Sequence, residues 1–506
     1  MFDNYGSLVE IRRNVFIEVA KLAYEGGDYS RIEEIPYEML NKKAKKNGQA
    51  KYRESIFLER AIVAERLRLA IGLPVRSADE HTPISKGIEE AAIANRFYEP
   101  PLINIIDFAC NACPENSYFV TDVCKGCLAN PCANVCPKNA ISIVNGRSVI
   151  DQDLCIKCGK CKSVCPYGAI VHRERPCQKA CGMDAIESDE FGKAKINYEK
   201  CVSCGMCLVN CPFGAIADKS QIFQVIQAIK GGDEIYALMA PAFVGQFGPK
   251  VTLETIDDAM EKLGFKGVYD VSIGADLCTV SEAKDYLENV PTKMPFMGTS
   301  CCPSWSVMAK TEFPEYKDNI SMTLTPMVLT ARLVKKRHPN AKIVFIGPCA
   351  AKKLEASRRS VRSDVDFVLT FEELMGMFIA KEVDFNTLEK RTPRHKSTGD
   401  GRGFAVAGGV ANAVVNACNT IAPDREVKIK AVQGLKECKQ MLKDAKKGKY
   451  DGYLLEGMAC PYGCASGAGT ITQPVKTKAQ VMLSQRNAET AHSIDSKYVE
   501  NLDELD

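Results

Sequence analysis

The sequence predicts a multidomain protein with a helical N-terminal region, a cysteine-dense α+β region and an α/β domain with mostly parallel sheets. The chain has 506 residues, which is too long for a single hydrophobic core. Residues 110–211 contain 16 of the 24 cysteines. Beyond residue 233, short β-rich runs alternate with helical stretches, as in α/β units. We expect domains over residues 1–105, 106–217 and 233–480, with a C-terminal tail over 481–506.

The overall composition argues against several classes of protein. Lys and Arg number 66 against 63 Asp and Glu, so neither nucleic acid nor an anionic membrane surface is expected as a partner. No apolar run approaches the roughly 18 residues that membrane insertion requires. A long chain with many cysteines and no recognisable export signal favours thiols that bind metal in a reducing compartment. We therefore expect a cytoplasmic protein.

The N-terminal region, residues 1–105, lacks cysteine and has helical periodicity. Its first apolar face precedes the stop signal Gly26-Gly27 and comprises Leu8, Ile11, Val15, Val19 and Leu22. A second helical stretch, YRESIFLERAIVAERLRLAIGLP, ends near Gly72. The basic run Lys42–Lys46 is expected to be solvated surface. These features indicate a packing or interaction module, and the polar residues 481–506 predict a loosely held tail.

The cysteine-dense region contains recognisable metal-binding runs. CIKCGKCKSVCP and CVSCGMCLVNCP fit the spacing C-x2-C-x2-C-x3-C-P of bacterial ferredoxins. CKGCLANPCANVCP is a variant, and a fourth set is split between CNAC and CQKAC. In this pattern three close thiolates bind one face of a [4Fe–4S] cube, and the fourth cysteine binds the neighbouring cube. The spacing therefore predicts a ferredoxin-like iron–sulfur region over residues 106–217.

Applied to all sixteen cysteines, this rule predicts four accessory cubes. Their ligand sets would be Cys124, Cys127, Cys132 and Cys165; Cys136, Cys155, Cys158 and Cys161; Cys181, Cys201, Cys204 and Cys207; and Cys110, Cys113, Cys177 and Cys211. Paired CxxC units also form zinc sites, but tight triplets followed by Cys-Pro favour iron–sulfur. The halves of the fourth set lie far apart in the sequence, so its assignment stays open.

Three further cysteine segments lie in the α/β domain. TSCCPSW, IGPCAAKKLEA and EGMACPYGCASGAG each follow an apolar run that predicts a strand. They are therefore expected at the carboxyl ends of strands, where open α/β sheets build their sites. Cys278, Cys418 and Cys438 occupy ordinary α/β sequence and are expected to be small buried side chains.

In this order, behind a ferredoxin-like region, the three segments resemble the signature segments of [FeFe]-hydrogenases over roughly residues 106–480. The resemblance implies a two-lobed catalytic domain that oxidises H2 and reduces protons reversibly. It implies an active-site [4Fe–4S] cube bound by Cys302, Cys349, Cys460 and Cys464, with Cys464 bridging to a diiron subcluster that carries CO, cyanide and a bridging dithiolate (together, the H-cluster). It also implies electron transfer to ferredoxin or a similar carrier, and maturation factors that supply the diiron unit.

The resemblance further implies a proton relay from solvent through Asp285, Ser321 and Glu282 to Cys301. Glu282 and Asp285 stand three residues apart, on one face of a predicted helix. A glutamate is common in the family where Asp285 stands here. A thiol can exchange protons when its surroundings tune its pKa. The plainer interpretation of Cys301 is a filler beside a true ligand.

Other positions match residues that contact the cofactor in this family. Lys352 matches the lysine that binds a cyanide, and Glu355 would orient Lys352 or a neighbouring strand. The remaining matches would pack around the diiron site: Met458, Ala240, Pro241, Ala242, Pro326 and Pro348. Gly347, Met327 and Tyr462 depart from the common pattern, which indicates a divergent subgroup.

Two other functions stay open on the sequence. One is an H2-sensing relative with the same cofactor, although no additional sensory domain is recognisable. The other is a non-enzymatic iron–sulfur assembly protein that lacks the diiron unit. The presence of Cys301, Lys352 and the Glu282 segment favours the enzyme over the assembly protein.

Overall fold

The N-terminal region is helical, as its periodicity predicts. It contains α1 (Ser7–Glu25), α2 (Ile35–Asn41), α3 (Ile56–Ile71) and α4 (Ile88–Ala91). These bounds come from a computed structural model, which describes residues 7–41, 50, 52–77, 79, 81–93, 100–358, 363–393 and 395–505. The run Lys42–Lys46 lies outside the described residues. Helix α3 begins at Ser55, whose side chain accepts a hydrogen bond from Phe57 N, and it ends at Gly72 in the left-handed conformation.

The N-terminal helices share a hydrophobic core with the α/β domain. Val15 and Val19 of α1 belong to the same buried cluster as Ile235 and Val344. Arg12 and Arg13 add ion pairs to Glu372, with N–O distances of 2.7 and 3.3 Å. The region is therefore packed into the body of the protein.

The iron–sulfur region is built from short antiparallel ladders. Its strands are β1 (Ile103–Ile105), β2 (Ser117–Val120), β3 (Ile141–Val144), β4 (Arg147–Ile150), β5 (Ile170–Arg173), β6 (Ile186–Ser188), β7 (Ala194–Ile196) and β8 (Ile216–Asp218). They pair as β1–β8, β2–β5, β3–β4 and β6–β7. The helices between them are short: α5 (Pro131–Asn134), α6 (Lys160–Val164), α7 (Pro176–Ala180) and α8 (Met206–Asn210).

Two parallel sheets form the α/β domain, as the alternation of runs predicts. One has the strand order β10-β9-β12-β13 and the other β11-β15-β14, and every neighbouring pair is parallel. The strands are β9 (Ile235–Met239), β10 (Gly267–Asp270), β11 (Met297–Gly298), β12 (Lys342–Gly347), β13 (Phe367–Thr370), β14 (Lys428–Gln433) and β15 (Tyr453–Met458). Seven β-rich runs of the sequence each form one of these strands: EIYALMAPAF, GVYDVSI, KMPFMG, KIVFIGP, DVDFVLTF, EVKIKAVQG and YDGYLLEGM.

Helices flank both sheets. They are α9 (Ile222–Lys230), α10 (Ile256–Glu261), α11 (Ser272–Asn289), α12 (Pro303–Glu312), α13 (Pro326–Arg337), α14 (Ala351–Ser357), α15 (Phe371–Ala380), α16 (Gly399–Gly403), α17 (Gly409–Ile421), α18 (Leu435–Ala445) and α19 (Pro474–Arg486). Among the described residues, no helix is long and apolar enough to cross a membrane.

The C-terminal segment differs from the loosely held tail expected for residues 481–506. Helix α19 extends to Arg486, and two turns of 3-10 helix follow at Ser493–Asp495 and Val499–Glu504. Tyr498, Leu502 and Leu505 are buried against α11 and α13. A few apolar side chains at suitable spacing therefore hold a mostly polar segment in place, and the expectation of a loose tail is wrong.

Candidate active site and cluster sites

The three cysteine segments of the α/β domain follow the carboxyl ends of β11, β12 and β15 and surround one cavity of about 90 Å³. Twelve of the residues predicted from the sequence line it: Ala240, Pro241, Ala242, Cys301, Cys302, Pro326, Pro348, Cys349, Lys352, Met458, Cys460 and Cys464. Glu282, Asp285, Ser321 and Glu355 do not line it. The fold therefore brings together side chains that are more than 200 residues apart in the sequence.

Four thiols interact electrostatically across this cavity, those of Cys302, Cys349, Cys460 and Cys464. Burial is the main reason that their pKa values are raised, to about 11 for Cys349 and to about 12 for Cys464. The other thiols of the set raise the pKa of Cys460 further. Thiols in such surroundings stay protonated unless a metal binds them. The donor set therefore fits an iron–sulfur cube.

Backbone amides add to the fit at Cys302. This residue caps the N-terminus of α12, and backbone N–H groups of Ser304, Trp305 and Ala459 lower the pKa of its thiol, opposing the effect of burial. N–H groups at a helix N-terminus stabilise negative charge on a ligand. Among the described residues, no three His, Cys, Asp or Glu side chains are close enough to bind a single metal ion.

Lys352 contributes a buried cation to the cavity. Its ammonium lies 2.6 Å from Glu355 Oε2, and Thr325 Oγ1 donates a hydrogen bond of 2.5 Å to Glu355 Oε1. Within the described part of the chain, Lys352 Nζ makes no well-directed hydrogen bond. Its N–H groups can therefore bind an anionic group in the cavity, while Glu355 holds the side chain from behind.

Cys301 and Cys302 belong to different surroundings, although both line the cavity. Cys301 packs against the cluster that contains Leu277 and Val280 of α11, whereas Cys302 packs against the cluster that contains Trp305 and Met308 of α12. The two neighbouring thiols thus have separate packing partners.

Glu282 is fully buried on α11, close to Cys301. Its Oε1 accepts hydrogen bonds from Ser300 N at 3.0 Å and Ser300 Oγ at 3.3 Å. Its Oε2 has no hydrogen-bond partner among the described residues. Burial raises the pKa of Glu282 to about 7, although its interactions with Ser300 and Ser321 lower it. The carboxyl group is thus suited to gain and lose a proton near neutral pH.

The other two relay candidates lie around Glu282. Ser321 is buried, and its backbone N donates to Gly298 O at 2.8 Å, which fixes it beside the end of β11. Asp285 is half-buried one turn further along α11 and raises the pKa of Glu282 slightly. The structure therefore places both residues close enough to Glu282 to affect its pKa.

Two residues near the cavity were missed by sequence reasoning. Cys204, assigned to the third accessory set, lines the active-site cavity, and its thiolate raises the pKa of Cys460. Glu456 is fully buried, accepts hydrogen bonds from Gly408 N and Ala411 N, and has a pKa raised to about 7 by burial. An acidic residue within the apolar run YLLEGM was a usable signal for Glu456, whereas no local pattern indicates that Cys204 lies beside the cavity.

Two of the departures from the family pattern lie at positions with unusual local geometry. Tyr462 adopts φ 63°, in the left-handed region that favours glycine. A Cβ atom at Gly347 would lie 2.7 Å from Phe345 Cε1 and 3.0 Å from Ala240 Cβ. The Phe345 ring, which lines the cavity, thus takes the space of a larger side chain at residue 347.

The accessory cysteines also fall into groups. Cys110, Cys113, Cys177 and Cys211 line one small cavity, which supports the open fourth assignment. In the third set, Cys181, Cys201 and Cys204 all raise the pKa of Cys207. Cys177 of the fourth set raises the pKa of Cys207 as well, so the third and fourth sets are neighbours.

The first two sets share a separate hydrophobic cluster. Its cysteines are Cys132, Cys136, Cys155, Cys161 and Cys165. Ser148 links two ligands of one set, because its hydroxyl lies 3.3 Å from Cys132 Sγ and its backbone N–H lowers the pKa of Cys124. In the second set, Cys155 and Cys158 raise the pKa of Cys161. Cys127, of the first set, is half-buried.

Comparisons with known families match three segments of the chain. Residues 233–468 match the family described as "Iron only hydrogenase large subunit, C-terminal domain". Residues 148–171 match a 4Fe-4S binding domain, and residues 171–222 match the LdpA Fe-S cluster-binding domain. A solved [FeFe]-hydrogenase structure aligns with a TM-score of 0.45 at 20% identity, covering 54% of this chain and 89% of that chain.

Curated relatives include both hydrogenases and assembly factors. The chain is 29% identical to iron hydrogenase 1 of Clostridium pasteurianum over 424 residues, 73% of each protein. It is 28% identical to a probable cytosolic Fe-S cluster assembly factor of Aedes aegypti over 277 residues, 44% of this chain and 58% of that protein. It is 32% identical to the periplasmic [Fe] hydrogenase large subunit of Nitratidesulfovibrio vulgaris over 377 residues, 64% of this chain and 86% of that protein. With this identity over most of a hydrogenase subunit, and with the signature cysteines around one cavity, the chain belongs to the iron-only hydrogenase family.

Proposed function

We propose that the protein is an [FeFe]-hydrogenase that catalyses reversible H2 oxidation and proton reduction. The observation that carries the proposal is the cavity in which four cysteines from three strand ends meet a fifth cysteine with separate packing partners. Family membership supports it. An H2-sensing role would use the same cavity and stays the alternative to turnover.

The residues present fit the family's cofactor. Cys302, Cys349, Cys460 and Cys464 would hold the active-site [4Fe–4S] cube, with Cys464 as the bridge to the diiron subcluster. That subcluster, with its CO, cyanide and dithiolate ligands, would supply the chemistry that splits H2 heterolytically. Lys352 would bind a cyanide ligand through its free N–H groups. The apolar side chains that line the cavity would exclude water: Ala240, Pro241, Ala242, Pro326, Pro348 and Met458.

The proton path would run from Asp285 through Ser321 and Glu282 to Cys301. Cys301 would hold the proton next to the cofactor, and Glu282 would exchange it because the pKa of its carboxyl lies near 7. The unpartnered Glu282 Oε2 offers a position for that proton.

The electron path would use the four accessory cubes. Cys204 lines the active-site cavity, which supports the third set as the neighbour of the active-site cube. Cys177 raises the pKa of Cys207, which supports the fourth set as the next in line. The first two sets would form the outer end, where a ferredoxin or similar carrier would bind. We further propose a cytoplasmic enzyme that receives its diiron unit from maturation factors, with the iron–sulfur and catalytic domains at residues 106–217 and 233–480.

Infrared spectroscopy of the matured protein, combined with an H2-uptake assay using a dye acceptor, tests the function. We expect bands from CO and cyanide, together with H2 uptake. Cys301→Ala should keep the bands but lose at least about 100-fold of the activity, because general acid–base groups contribute that much. Cys418→Ala, at a buried cysteine of α17 away from the cavity, should keep both. Bands without uptake would indicate a sensor.

The second candidate is an iron–sulfur assembly protein, favoured by the likeness to the assembly factor of Aedes aegypti. Such a protein would hold the cubes without a diiron unit. After maturation, an iron count that matches the cubes alone, with no CO or cyanide bands, would support it and contradict the hydrogenase proposal.

A further inference from the structure

Arg175 is a buried cation at the fourth cysteine set. It directly precedes α7, is 1% exposed, and lines the same small cavity as Cys110, Cys113, Cys177 and Cys211. The family's active-site chemistry does not require it. Its position raises the question of what balances its charge.

Every hydrogen bond of the Arg175 guanidinium goes to a neutral backbone carbonyl. Nε and Nη2 donate to Cys113 O at 3.2 and 3.0 Å, Nη2 donates to Gly192 O at 2.7 Å, and Nη1 donates to Glu187 O at 3.2 Å. Across the described residues, no carboxylate forms an ion pair with it. Burying a charge without a counter-charge is strongly unfavourable. An anionic group in the cavity would remove this cost.

Two arginines from the N-terminal region contact loops that carry the same ligands. Arg53 Nη2 donates to Ala109 O, next to Cys110, at 3.1 Å, and also to Phe213 O. Arg66, which is 5% exposed, donates to Gly214 O in the loop after Cys211. Three guanidinium groups therefore hold the loops that carry the fourth set.

Arg147 provides the contrast. It lies near Cys124 of the first set, but its side chain is 56% exposed and it is paired with Asp122 at 3.1 Å. Water and the carboxylate screen its charge. Arg175 is screened by neither.

We propose that Arg175, assisted by Arg53 and Arg66, is the counter-charge of the fourth [4Fe–4S] cluster and raises its reduction potential above those of the other accessory clusters. The inference rests on the cluster assignment in the proposed function. A cube with four thiolates carries net negative charge, and reduction adds one more. A buried cation therefore stabilises the reduced form more than the oxidised form. The fourth cluster would then hold an electron between the outer pair and the third cluster.

A redox titration monitored by electron paramagnetic resonance tests this on the full chain loaded with its iron–sulfur clusters. The signal that disappears in Cys113→Ser belongs to the fourth cluster. In Arg175→Gln, we expect the midpoint potential of the fourth cluster to fall by at least about 59 mV. At the wild-type midpoint, the ratio of oxidised to reduced cluster would then be at least about tenfold higher. Arg175→Lys, which keeps the positive charge, should keep the potential of the fourth cluster close to that of the wild type, and Arg147→Gln should leave every potential unchanged.

Unchanged potentials in Arg175→Gln with full iron content would overturn the proposal. If that variant loses one cluster, the potential of the fourth cluster is measured in Arg53→Gln and in Arg66→Gln instead. A lowered potential in either variant supports the proposal, and an unchanged potential in both contradicts it. Failure of the underlying cluster assignment looks different, because wild type and Cys113→Ser would then contain the same amount of iron.

Discussion

At the scale of single residues, burial changes what ordinary side chains can do. Glu282 is excluded from water, which raises the pKa of its carboxyl group to about 7. Its Oε2 has no hydrogen-bond partner among the described residues. Glu456 reaches a similar pKa, but both of its oxygens accept hydrogen bonds from backbone N–H groups. The two acids therefore differ in whether they have a free position for a transferred proton.

We expect Glu282→Gln to lower H2 turnover by about 100-fold or more, because an amide cannot exchange a proton with Cys301. The infrared bands of the cofactor should stay. Glu456→Gln is the matched control, and its activity per unit of bound cofactor should remain near that of the wild type. Equal losses in the two variants would contradict the assignment of Glu282 to the proton path.

The sequence could predict many of the residues that line the cavity because each stands within a recognisable segment. Cys302, Cys349, Cys460 and Lys352 follow strands at fixed distances, and strand ends determine where they go. Arg175 could not be predicted. An arginine between Glu174 and Pro176 looks like surface sequence, and only the pairing of β2 with β5 and of β6 with β7 encloses it.

At the scale of elements, α11 links the catalytic cavity to the C-terminal segment. It carries Glu282 and also Asp276, which accepts hydrogen bonds from Thr398 Oγ1 at 2.5 Å and Ser493 Oγ at 2.9 Å. Burial raises the pKa of Asp276 to about 7 despite these donors. The folded protein therefore retains a proton that the unfolded chain releases near pH 4.

This predicts that stability falls as pH rises from about 4 to 7, the window in which only the folded state holds the proton. Between pH 5.5 and 7.5, titration of Asp276 lowers the free energy of unfolding by about 2 kcal/mol. Asp276→Asn should flatten the decline in the thermal unfolding midpoint over this range. Glu288→Gln, an exposed change on the same helix, should leave the slope as it is. A wild-type midpoint that rises over the same range would contradict the prediction.

At the scale of the whole molecule, a buried charge cluster joins the iron–sulfur region to the α/β domain. Lys353 is fully buried, with its ammonium 2.7 Å from Asp218 Oδ2 and 3.0 Å from Glu373 Oε1. Asp218 ends β8, and Glu373 lies in the first turn of α15. A single side chain thus compensates two carboxylates from different parts of the protein.

We expect Lys353→Met to destabilise the protein by about 3–5 kcal/mol, because it removes the ammonium that contacts both buried carboxylates. Thermal unfolding followed by circular dichroism measures this. Lys449→Met removes an exposed partner of Asp444 and should change the midpoint little. A similar midpoint in the two variants would show that the carboxylates are compensated in another way.

The arrangement of the regions was the least predictable feature. Composition and periodicity indicated helices, cysteine-rich ladders and parallel strands, and these are present. The sharing of one core by α1 and the α/β sheets, the approach of Cys204 to the active-site cavity, and the docking of Tyr498 depend on contacts between distant segments. No local pattern encodes such contacts, because the hydrophobic effect that drives them has no direction.

The ladders of the iron–sulfur region have a practical consequence. Ser117 pairs with Arg173 across β2–β5, and Ile105 pairs with Ile216 across β1–β8. The segment between these two ladders, residues 117–173, thus leaves and rejoins the rest of the chain at adjacent points. A short turn between residues 116 and 174 could replace that segment and leave Cys113 and Arg175 in place. Such a deletion would remove two of the four proposed accessory clusters and leave the rest of the fold intact.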